Sequence, residues 1–351
     1  MIKKLIIFQI LFIFFQFSVI CQVNDSSTVS VIGVGDIMLG TSFPSEKYLP
    51  PGDDCHFLLE EVKPYLQDAD IVFGNLEGSF LDDGPVVKKC KDTTKCYAFR
   101  SPEKYFDCLV EAGFNLFSLA NNHMNDFGVK GQKSTVKLIE ENSLHAAGLL
   151  TREYEVFEKD SVIYGFCAFS PNKGTTRIND YKTVRRIISF LNDTADIIIV
   201  SFHGGAEGSK HEHLTRKTET YLGANRGNVY KFAHTAIDSG ADIIFGQGPH
   251  VTRAIEVYKN RFIAYSSGNF CTYKRFNLRG VNGIAPIIKL YIDGNGKFIK
   301  GKITATYQDK QTGTHIDPNN RVITRMQQLV KQDIPESVIE IKNNGDIVLM
   351  K

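Results

Sequence analysis

Side chains that can bind a metal ion or transfer a proton follow six separate apolar runs of this sequence. The runs span residues 29–34, 70–73, 114–119, 197–202, 242–245 and 261–265. The polar residues after them, in chain order, are Asp36, Asn75 with Glu77, Asn122 with His123, His203 with Glu207, His250, and Asn269. Any one of them could serve a turn, but recurrence after six runs indicates a shared site.

The residue types in this set predict a divalent metal site. Imidazole combined with carboxylate and amide oxygen suits Zn²⁺, Mn²⁺ or Fe²⁺, whereas an all-oxygen set would favour Mg²⁺ or Ca²⁺. Buried carboxylates without a cation would also be costly. A nucleophilic serine and a phosphate-binding loop are both disfavoured, because the sequence has no G-x-S-x-G motif and no glycine-rich loop with the required lysine.

The elements that must position these side chains are predicted strands alternating with helices. Helices are predicted over 56–68, 102–112, 129–142, 183–191, 228–239 and 320–332, and one short strand beyond Pro335. Strands that are apolar throughout are buried on both faces, by helices or by a second sheet. The fold class is therefore α/β, with the polar ends gathered beyond the carboxyl ends of the strands.

The amino terminus is typical of an export signal. Lys3 and Lys4 precede a run rich in Phe and Ile that ends at Ile20. We predict a signal peptide over residues 1–21 and a flexible leader over 22–28, and hence a protein of the periplasm, the cell envelope or the exterior. Acylation of Cys21 and retention of the segment as a membrane anchor stay open as alternatives.

Charge and cysteine content restrict the partners and the covalent links. The chain has 41 basic and 39 acidic residues, and loss of residues 1–21 would leave 39 of each. Without a dense basic cluster, no nucleic-acid partner is expected. Export permits disulfides, and Cys90 and Cys96 flank a polar loop that a local disulfide would close. The sequence does not pair the remaining cysteines.

Six motifs carry a resemblance to a known family. They are GDIMLG at 35–40, NLE at 75–77, NNH at 121–123 with Asp126 and Gly128, His203 with Glu207, residues 246–251, and YSSGNF at 265–270. In this order they resemble the bacterial capsule synthesis (CapA, or PGA-cap) family, which is similar in fold to calcineurin-like metallophosphoesterases. The resemblance covers residues 30–305. It implies a four-layer α/β/β/α sandwich over 29–310, with residues 311–351 as an extension packed on it.

The resemblance also implies roles for individual residues. One or two divalent ions (Mn, Zn or Fe) would be held by Asp36, Glu77, Asn122, His203 and His250. His123 would donate a proton to the leaving group or stabilise the transition state, with Asp126 orienting its ring. Support or substrate contact falls to Asn75, Glu207, Gln247, Arg253 and Asn269. For Arg253, as for Arg226, a clamp on an anionic substrate competes with a plain salt bridge.

Three positions depart from the pattern of the family or of classical metallophosphoesterases, and they leave two functions open. Gln247 and Gly248 stand where the family usually has histidine, and Met38 stands where classical metallophosphoesterases have one. The first function is an exported metal-dependent hydrolase or transferase that acts on a phosphate ester or an anionic polymer. It would serve capsule or poly-γ-glutamate synthesis, beside a membrane-bound capsule synthase. The second is a non-catalytic relative that binds the polymer or a partner.

Overall fold

The computed structural model describes residues 28–89 and 97–350, which form strands and helices in alternation. The strands are β1 (Val29–Met38), β2 (Ile71–Leu76), β3 (Ser79–Phe80), β4 (Arg100–Ser101), β5 (Leu116–Ser118), β6 (His145–Ala147), β7 (Tyr154–Lys159), β8 (Val162–Phe169), β9 (Ile197–His203), β10 (Glu219–Tyr221), β11 (Ala224–Gly227), β12 (Ile243–Gln247), β13 (Ile255–Tyr258), β14 (Arg261–Ala264), β15 (Asn269–Thr272), β16 (Ile284–Ile292), β17 (Phe298–Asp309), β18 (Gly313–Ile316), β19 (Ile339–Ile341) and β20 (Asp346–Leu349). The helices are α1 (Lys63–Leu66), α2 (Phe106–Ala112), α3 (Gly128–Glu141), α4 (Tyr181–Asn192), α5 (Val229–Asp238) and α6 (Arg321–Asp333).

Two large mixed sheets organise these elements. The first has the order β19-β20-β17-β16-β1-β2-β5-β6, with β15 also paired to β1 and β18 to β17. Its strands β1, β2, β5 and β6 are parallel neighbours. The second has the order β13-β14-β12-β9-β8-β7, with β14, β12, β9 and β8 parallel. Each sheet therefore presents a row of parallel strand ends on one side.

The two sheets pack face to face through aromatic side chains. Phe73 of the first sheet stacks on Phe245 of the second with 5.2 Å between ring centroids, and Phe166 lies 5.9 Å from Phe73. Gly33 makes this approach possible, because a Cβ at that position would lie 2.1 Å from the ring of Phe245. The contact fixes the spacing of the sheets next to β1.

Helices cover the outer face of each sheet and complete the predicted four-layer order. On β1, Val31 faces the second sheet, whereas Ile32 packs in a separate cluster with α1, α2 and α3. On the opposite side, α4 and α5 contact each other, and α4 packs on β8 and β9. This alternation is the period of two expected of a sheet covered on both faces. The predicted four-layer α/β/β/α sandwich is confirmed.

Two predictions about secondary structure are wrong. The helix expected over 56–68 is reduced to a 3₁₀ turn at His56–Leu58 and the single turn of α1. Pro64 contributes to the break, because it has no N–H to donate to the carbonyl of the residue four positions earlier, and it is tolerated only in the first turn of α1. Beyond Pro335 there are two strands rather than one, since β19 and β20 pair as a hairpin.

Strands formed by residues after 310 join the first sheet. Strand β18 pairs with β17, and β20 pairs with β17 further along the same strand. Helix α6 packs against β16 and β17 of the first sheet and against β13 of the second. Its buried side chains close one end of the space between the two sheets.

The described residues contain one disulfide and two buried thiols, and the predicted local disulfide lies outside them. Cys55 and Cys108 form a disulfide that links two segments 53 residues apart, and Cys167 and Cys271 are buried thiols. The predicted Cys90–Cys96 pair lies outside the described residues, as do the signal peptide and residues 22–27 of the leader. Across the described ranges, no helix is both long enough and apolar enough to span a membrane.

Replacing both members of the disulfide (Cys55→Ser with Cys108→Ser) should lower the free energy of unfolding by about 2–4 kcal/mol, because the open chain gains conformational freedom when unfolded. Denaturant unfolding followed by circular dichroism measures the change. An unfolding midpoint equal to that of the wild-type protein would show that this link does not constrain the chain.

Candidate metal centre

Strand register brings the predicted ligands together at one end of the sandwich. Asp36 lies in register with Asn75 of β2 on one side and with Asn269 of β15 on the other. In the second sheet, Gln247 of β12 lies in register with His203 of β9. Strand β1 runs past Asp36 to Met38, so Asp36 lies within the strand, at an irregularity between Asp36 and Ile37.

The chain crosses between the two sheets directly beside Asp36. Strand β14 belongs to the second sheet and β15 to the first, and Gly268 lies in the connection between them. The carbonyl oxygen of Gly268 accepts a hydrogen bond from the backbone N–H of Asp36 at 2.9 Å. A Cβ at Gly35 would lie 1.9 Å from that same oxygen, so only glycine permits this contact. The crossing thereby joins the two halves of the site.

The centre of the site is a pair of buried carboxylates bridged by one amide. Asp36 and Glu77 are both 0 % exposed. The Nδ2 atom of Asn75 donates to Asp36 Oδ1 at 2.8 Å and to Glu77 Oε2 at 2.7 Å. Its Oδ1 accepts from Asn121 Nδ2 at 3.2 Å, which orients the amide. Asn75 therefore holds two acidic groups side by side.

This arrangement changes the proton affinity of the acidic pair and of the neighbouring imidazole. Burial, followed by the charge of Asp36, raises the pKa of Glu77 to about 8. The Nδ1 atom of His250 lies 2.8 Å from Asp36 Oδ2. Burial opposes protonation of His250, but its hydrogen bond to Asp36 and the charge of that carboxylate raise its pKa to about 9. His250, a predicted ligand, thus contacts Asp36 through Nδ1, and the group of possible ligand atoms within 4.8 Å of one another contains Asp36, Glu77 and His203 but not His250.

His203 offers a neutral nitrogen ligand to the same cluster. Its ring is 0 % exposed, and neither ring nitrogen has a hydrogen-bond partner in the described part of the chain. Burial and the charge of Arg226 hold the pKa of His203 well below its usual range, so its lone pair stays available. One ligand atom from each of Asp36, Glu77 and His203 lies within 4.8 Å of the other two. This spacing suits three ligands of one ion.

Further acceptor atoms at the strand ends have no partner among the described residues. They are buried and comprise Glu77 Oε1, Asn122 Oδ1, Gln247 Oε1 and Asn269 Oδ1. Gln247 shows why the oxygen is the unsatisfied end, since its Nε2 donates to the carbonyl of Val34 at 3.0 Å. A buried acceptor without a partner costs about 1–3 kcal/mol. A divalent cation satisfies such acceptors, so the residues present fit a metal ion.

His250 has a backbone conformation that its neighbours must hold in place. Its φ of 57° lies in the left-handed region, which non-glycine residues seldom adopt. The Nδ2 atoms of Asn269 and Asn282 donate to its carbonyl oxygen at 3.1 and 3.2 Å. These two bonds aim the imidazole at Asp36 and assign Asn269 a supporting contact.

A second imidazole, His123, faces the cluster from the first sheet. Its Nδ1 lies 2.7 Å from Asp126 Oδ2, which also accepts from the backbone N–H of Phe99 at 3.0 Å. The Nε2 atom points the other way, 3.9 Å from Glu77 Oε1. With Nδ1 donating to Asp126, Nε2 is the atom that can exchange a proton with a substrate.

Lys88 completes this arrangement, although no motif in the sequence selects it. Its Nζ lies 2.9 Å from Asp126 Oδ1 and 3.3 Å from His123 Nδ1. Burial lowers the pKa of His123, the charge of Asp126 raises it, and the charge of Lys88 lowers it again. Lys88 lies in an irregular segment without hydrophobic periodicity, so no pattern connects it to His123.

Of two other predicted support residues, Glu207 borders the cavity and Arg253 does not. Glu207 pairs with Arg226 at 3.2 Å and lines the same cavity as His123 and His250. Arg253 is 0 % exposed and forms a two-pronged ion pair with Glu219, at 2.9 and 2.8 Å. Arg253 therefore holds β10 in place, whereas Arg226 of the unpredicted hairpin β10–β11 reaches the cavity.

A cavity lies beside the cluster and is bordered by its neighbours Asn122, His123 and His250. It has a volume of about 460 Å³ and is bordered by Lys88, Tyr97, Phe99, Asn122, His123, Glu207, Tyr221, Leu222, Ala224, Arg226, His250, Arg275, Phe276 and Asn277. Cationic and aromatic side chains predominate in this wall. A substrate in this cavity would contact Asn122, His123 and His250 directly.

Replacing Lys88 by methionine should raise the pKa of His123, because a positive charge 3.3 Å from Nδ1 disappears while Asp126 stays. An NMR titration of the imidazole in chelator-treated protein measures this. Lys130→Met is the matched control, since Lys130 is exposed and 3.9 Å from its own partner Asp83. An unchanged or lower pKa in Lys88→Met would contradict the contact.

Comparisons with known proteins agree with the motifs. The family model described as "Bacterial capsule synthesis protein PGA_cap" matches residues 30–274. The capsule biosynthesis protein CapA of Bacillus anthracis is 29% identical over 266 residues, which cover 70% of this chain and 60% of that protein. The PGA biosynthesis protein CapA of Bacillus subtilis is 29% identical over 255 residues, covering 68% and 61%.

The chain thus spans about 60% of the length of these relatives. Among solved structures, a 5′-nucleotidase precursor from Thermus thermophilus has a TM-score of 0.40 and 11% identity, covering 87% of this chain and 59% of that one. The family match extends over well more than half of the sequence and includes all the strand ends described above. The chain belongs to the bacterial capsule synthesis protein family PGA_cap.

Proposed function

We propose that this protein carries out metal-assisted hydrolysis or group transfer on a phosphate ester or an anionic envelope polymer. One observation carries the proposal: Asp36, Glu77 and His203 lie close together, and the buried atoms without partners among the described residues belong to Glu77, to His203 and to amides at other strand ends. A site built only for stability would pair these atoms with donors or replace them by apolar groups. Their presence together supports their assignment as metal ligands.

The residues of the cluster and those around it would have separate roles in such a reaction. Asp36, Glu77 and His203 would hold the ion, with the amide oxygens of Asn122, Gln247 and Asn269 as additional acceptors. A bound Zn²⁺, Mn²⁺ or Fe²⁺ supplies Lewis-acid polarisation and a nucleophilic water near neutral pH. The number of ions, one or two, belongs to the proposal.

His123 and its supports supply the proton transfer. Asp126 accepts from Nδ1 of His123, and Lys88 pairs with Asp126, so Nε2 faces the cluster. In its protonated form the ring would donate the Nε2 proton to a leaving group. The ring is only 6 % exposed, but it borders the cavity, where it would contact a bound substrate. Asn75 keeps both carboxylates in position throughout, because one Nδ2 atom donates to each of them.

The biological setting follows from the family and from the amino terminus. Relatives in Bacillus are named for capsule or PGA biosynthesis. We therefore propose a role in capsule or poly-γ-glutamate synthesis or attachment, beside a membrane-bound synthase. The basic and apolar residues 1–21 support export to the periplasm, the cell envelope or the exterior.

One observation favours a second, non-catalytic function. Gln247 stands where the family usually has an imidazole, and an amide oxygen is a weaker ligand for these metals. A site with this weaker ligand would bind polymer or partner without turnover. The mature protein would then act as a binding component of the same assembly.

The direct test is turnover of an aryl phosphate by purified mature protein, with Mn²⁺ or Zn²⁺ added after chelation. We expect metal-dependent turnover that falls by at least ~100-fold in Asp36→Asn and in His123→Ala, a loss typical of removing one group that stabilises the transition state. His315→Gln serves as the control, because His315 bonds to Glu61 away from the cavity.

Two results separate the two functions. Metal-dependent turnover in the wild type that both site variants lose supports catalysis. No turnover in the wild type, with turnover appearing in Gln247→His, supports the non-catalytic function. Absence of bound metal together with equal behaviour of wild type and Asp36→Asn would contradict the metal centre itself.

A further inference from the structure

Among the described residues, the cavity above the metal centre has one cation whose charge is not matched. Lys88, Arg226 and Arg275 all border this cavity. Lys88 pairs with Asp126 at 2.9 Å and Arg226 with Glu207 at 3.2 Å. Over residues 28–89 and 97–350, Arg275 pairs with no carboxylate, and its Nε is buried without a hydrogen-bond partner.

Arg275 is held by aromatic rings instead of by a charge. Its guanidinium lies 4.5 Å from the ring centroid of Tyr48 and 4.6 Å from that of Tyr97. Contacts of this kind hold the plane of the guanidinium while leaving its positive charge unmatched. A guanidinium held in this way is prepared to donate to a carboxylate or phosphate.

A continuous wall of rings joins Arg275 to the metal centre. Tyr97 lies 6.4 Å from Phe99, which stacks on His123 at 4.1 Å. Phe276, the residue after Arg275, lies 5.2 Å from Phe99 and 5.4 Å from His250. The same cavity therefore contains the proton-transferring imidazole, the imidazole beside Asp36, and the unmatched guanidinium.

We propose that Arg275 forms an anion-binding subsite for the part of the substrate that does not react. Its ligand is an oxyanion, a carboxylate or a phosphate, carried by a chain with further charged groups. This inference rests on the proposed function, because it assigns the substrate class of the same site. A substrate with a single charged group at the reacting centre would leave Arg275 unused.

The proposal differs from a structural role for Arg275 in what it predicts for binding. If the guanidinium only packs between Tyr48 and Tyr97, its replacement changes thermal stability and leaves ligand affinity as it was. If it binds an oxyanion, affinity for a polyanion falls while the fold persists. The affinity of Arg275→Lys for a polyanion should lie between that of the wild type and that of a variant without the charge. Lysine keeps the charge but has neither the planar stack nor the forked donors.

Calorimetric titration of mature protein with oligo-γ-glutamate and, separately, with inorganic polyphosphate tests the subsite. Arg275→Gln should weaken binding of one of these probes by roughly 10- to 100-fold, the effect of losing a charge-assisted hydrogen bond. Arg216→Gln is the matched control and should bind as wild type. Arg216 also stacks on a tyrosine, Tyr230 at 4.6 Å, but pairs with Glu336 at 2.7 Å.

The probe that loses affinity identifies the oxyanion as carboxylate or phosphate. Failure of the wild type to bind either probe, or equal affinity of wild type and correctly folded Arg275→Gln for both, overturns the proposal. The variant Asp36→Asn separates the anion subsite from the proposed function, because it should lose turnover and keep the binding that depends on Arg275. Arg275-dependent binding without any turnover in the wild type supports the subsite and contradicts catalysis, whereas metal-dependent turnover without Arg275-dependent binding does the reverse.

Discussion

The structure depends on two carboxylates that are buried side by side on neighbouring strands. Asp36 and Glu77 are both inaccessible to solvent and are joined through the amide of Asn75. Burial and mutual repulsion raise the pKa of Glu77 to about 8, and the nearest compensating charge is His250 on Asp36. A cation placed among them would offset the cost that folding otherwise incurs.

The sandwich supplies both halves of the place where that cation would sit. Parallel strands of the first sheet deliver the carboxylates, and β9 and β12 of the second deliver His203 and Gln247. The contact between Gly35 and Gly268 brings the sheets together at this point, since any larger residue would force them apart. Formation of the site therefore depends on formation of the whole fold, because the site exists only where both sheets end together.

Sequence reasoning could locate the candidate metal centre but not the residues around it. The ligand types follow apolar strands, and parallel strands end at a common edge, so pattern alone predicts that residues on neighbouring strands of one sheet, such as Asp36 and Asn75, lie together. His203 lies in the other sheet, and its approach to Asp36 is implied by the family resemblance and not by the pattern. Lys88 and Arg275 were not predictable, because their partners come from irregular segments that are distant in sequence. The Cys55–Cys108 pair could not be predicted for the same reason, because tertiary packing and not local spacing brings those thiols together.

Binding of a divalent cation by the buried carboxylates, the imidazole and the amide oxygens underlies everything proposed for this protein. Crystals of the mature protein soaked in Zn²⁺, with anomalous diffraction recorded at the zinc edge, reveal directly whether these groups are a ligand set. We predict an anomalous peak within ~2.0–2.2 Å of ligand atoms from Asp36, Glu77 and His203. A map with no peak at that position, or with zinc bound only at surface residues, would contradict the assignment of these residues as ligands.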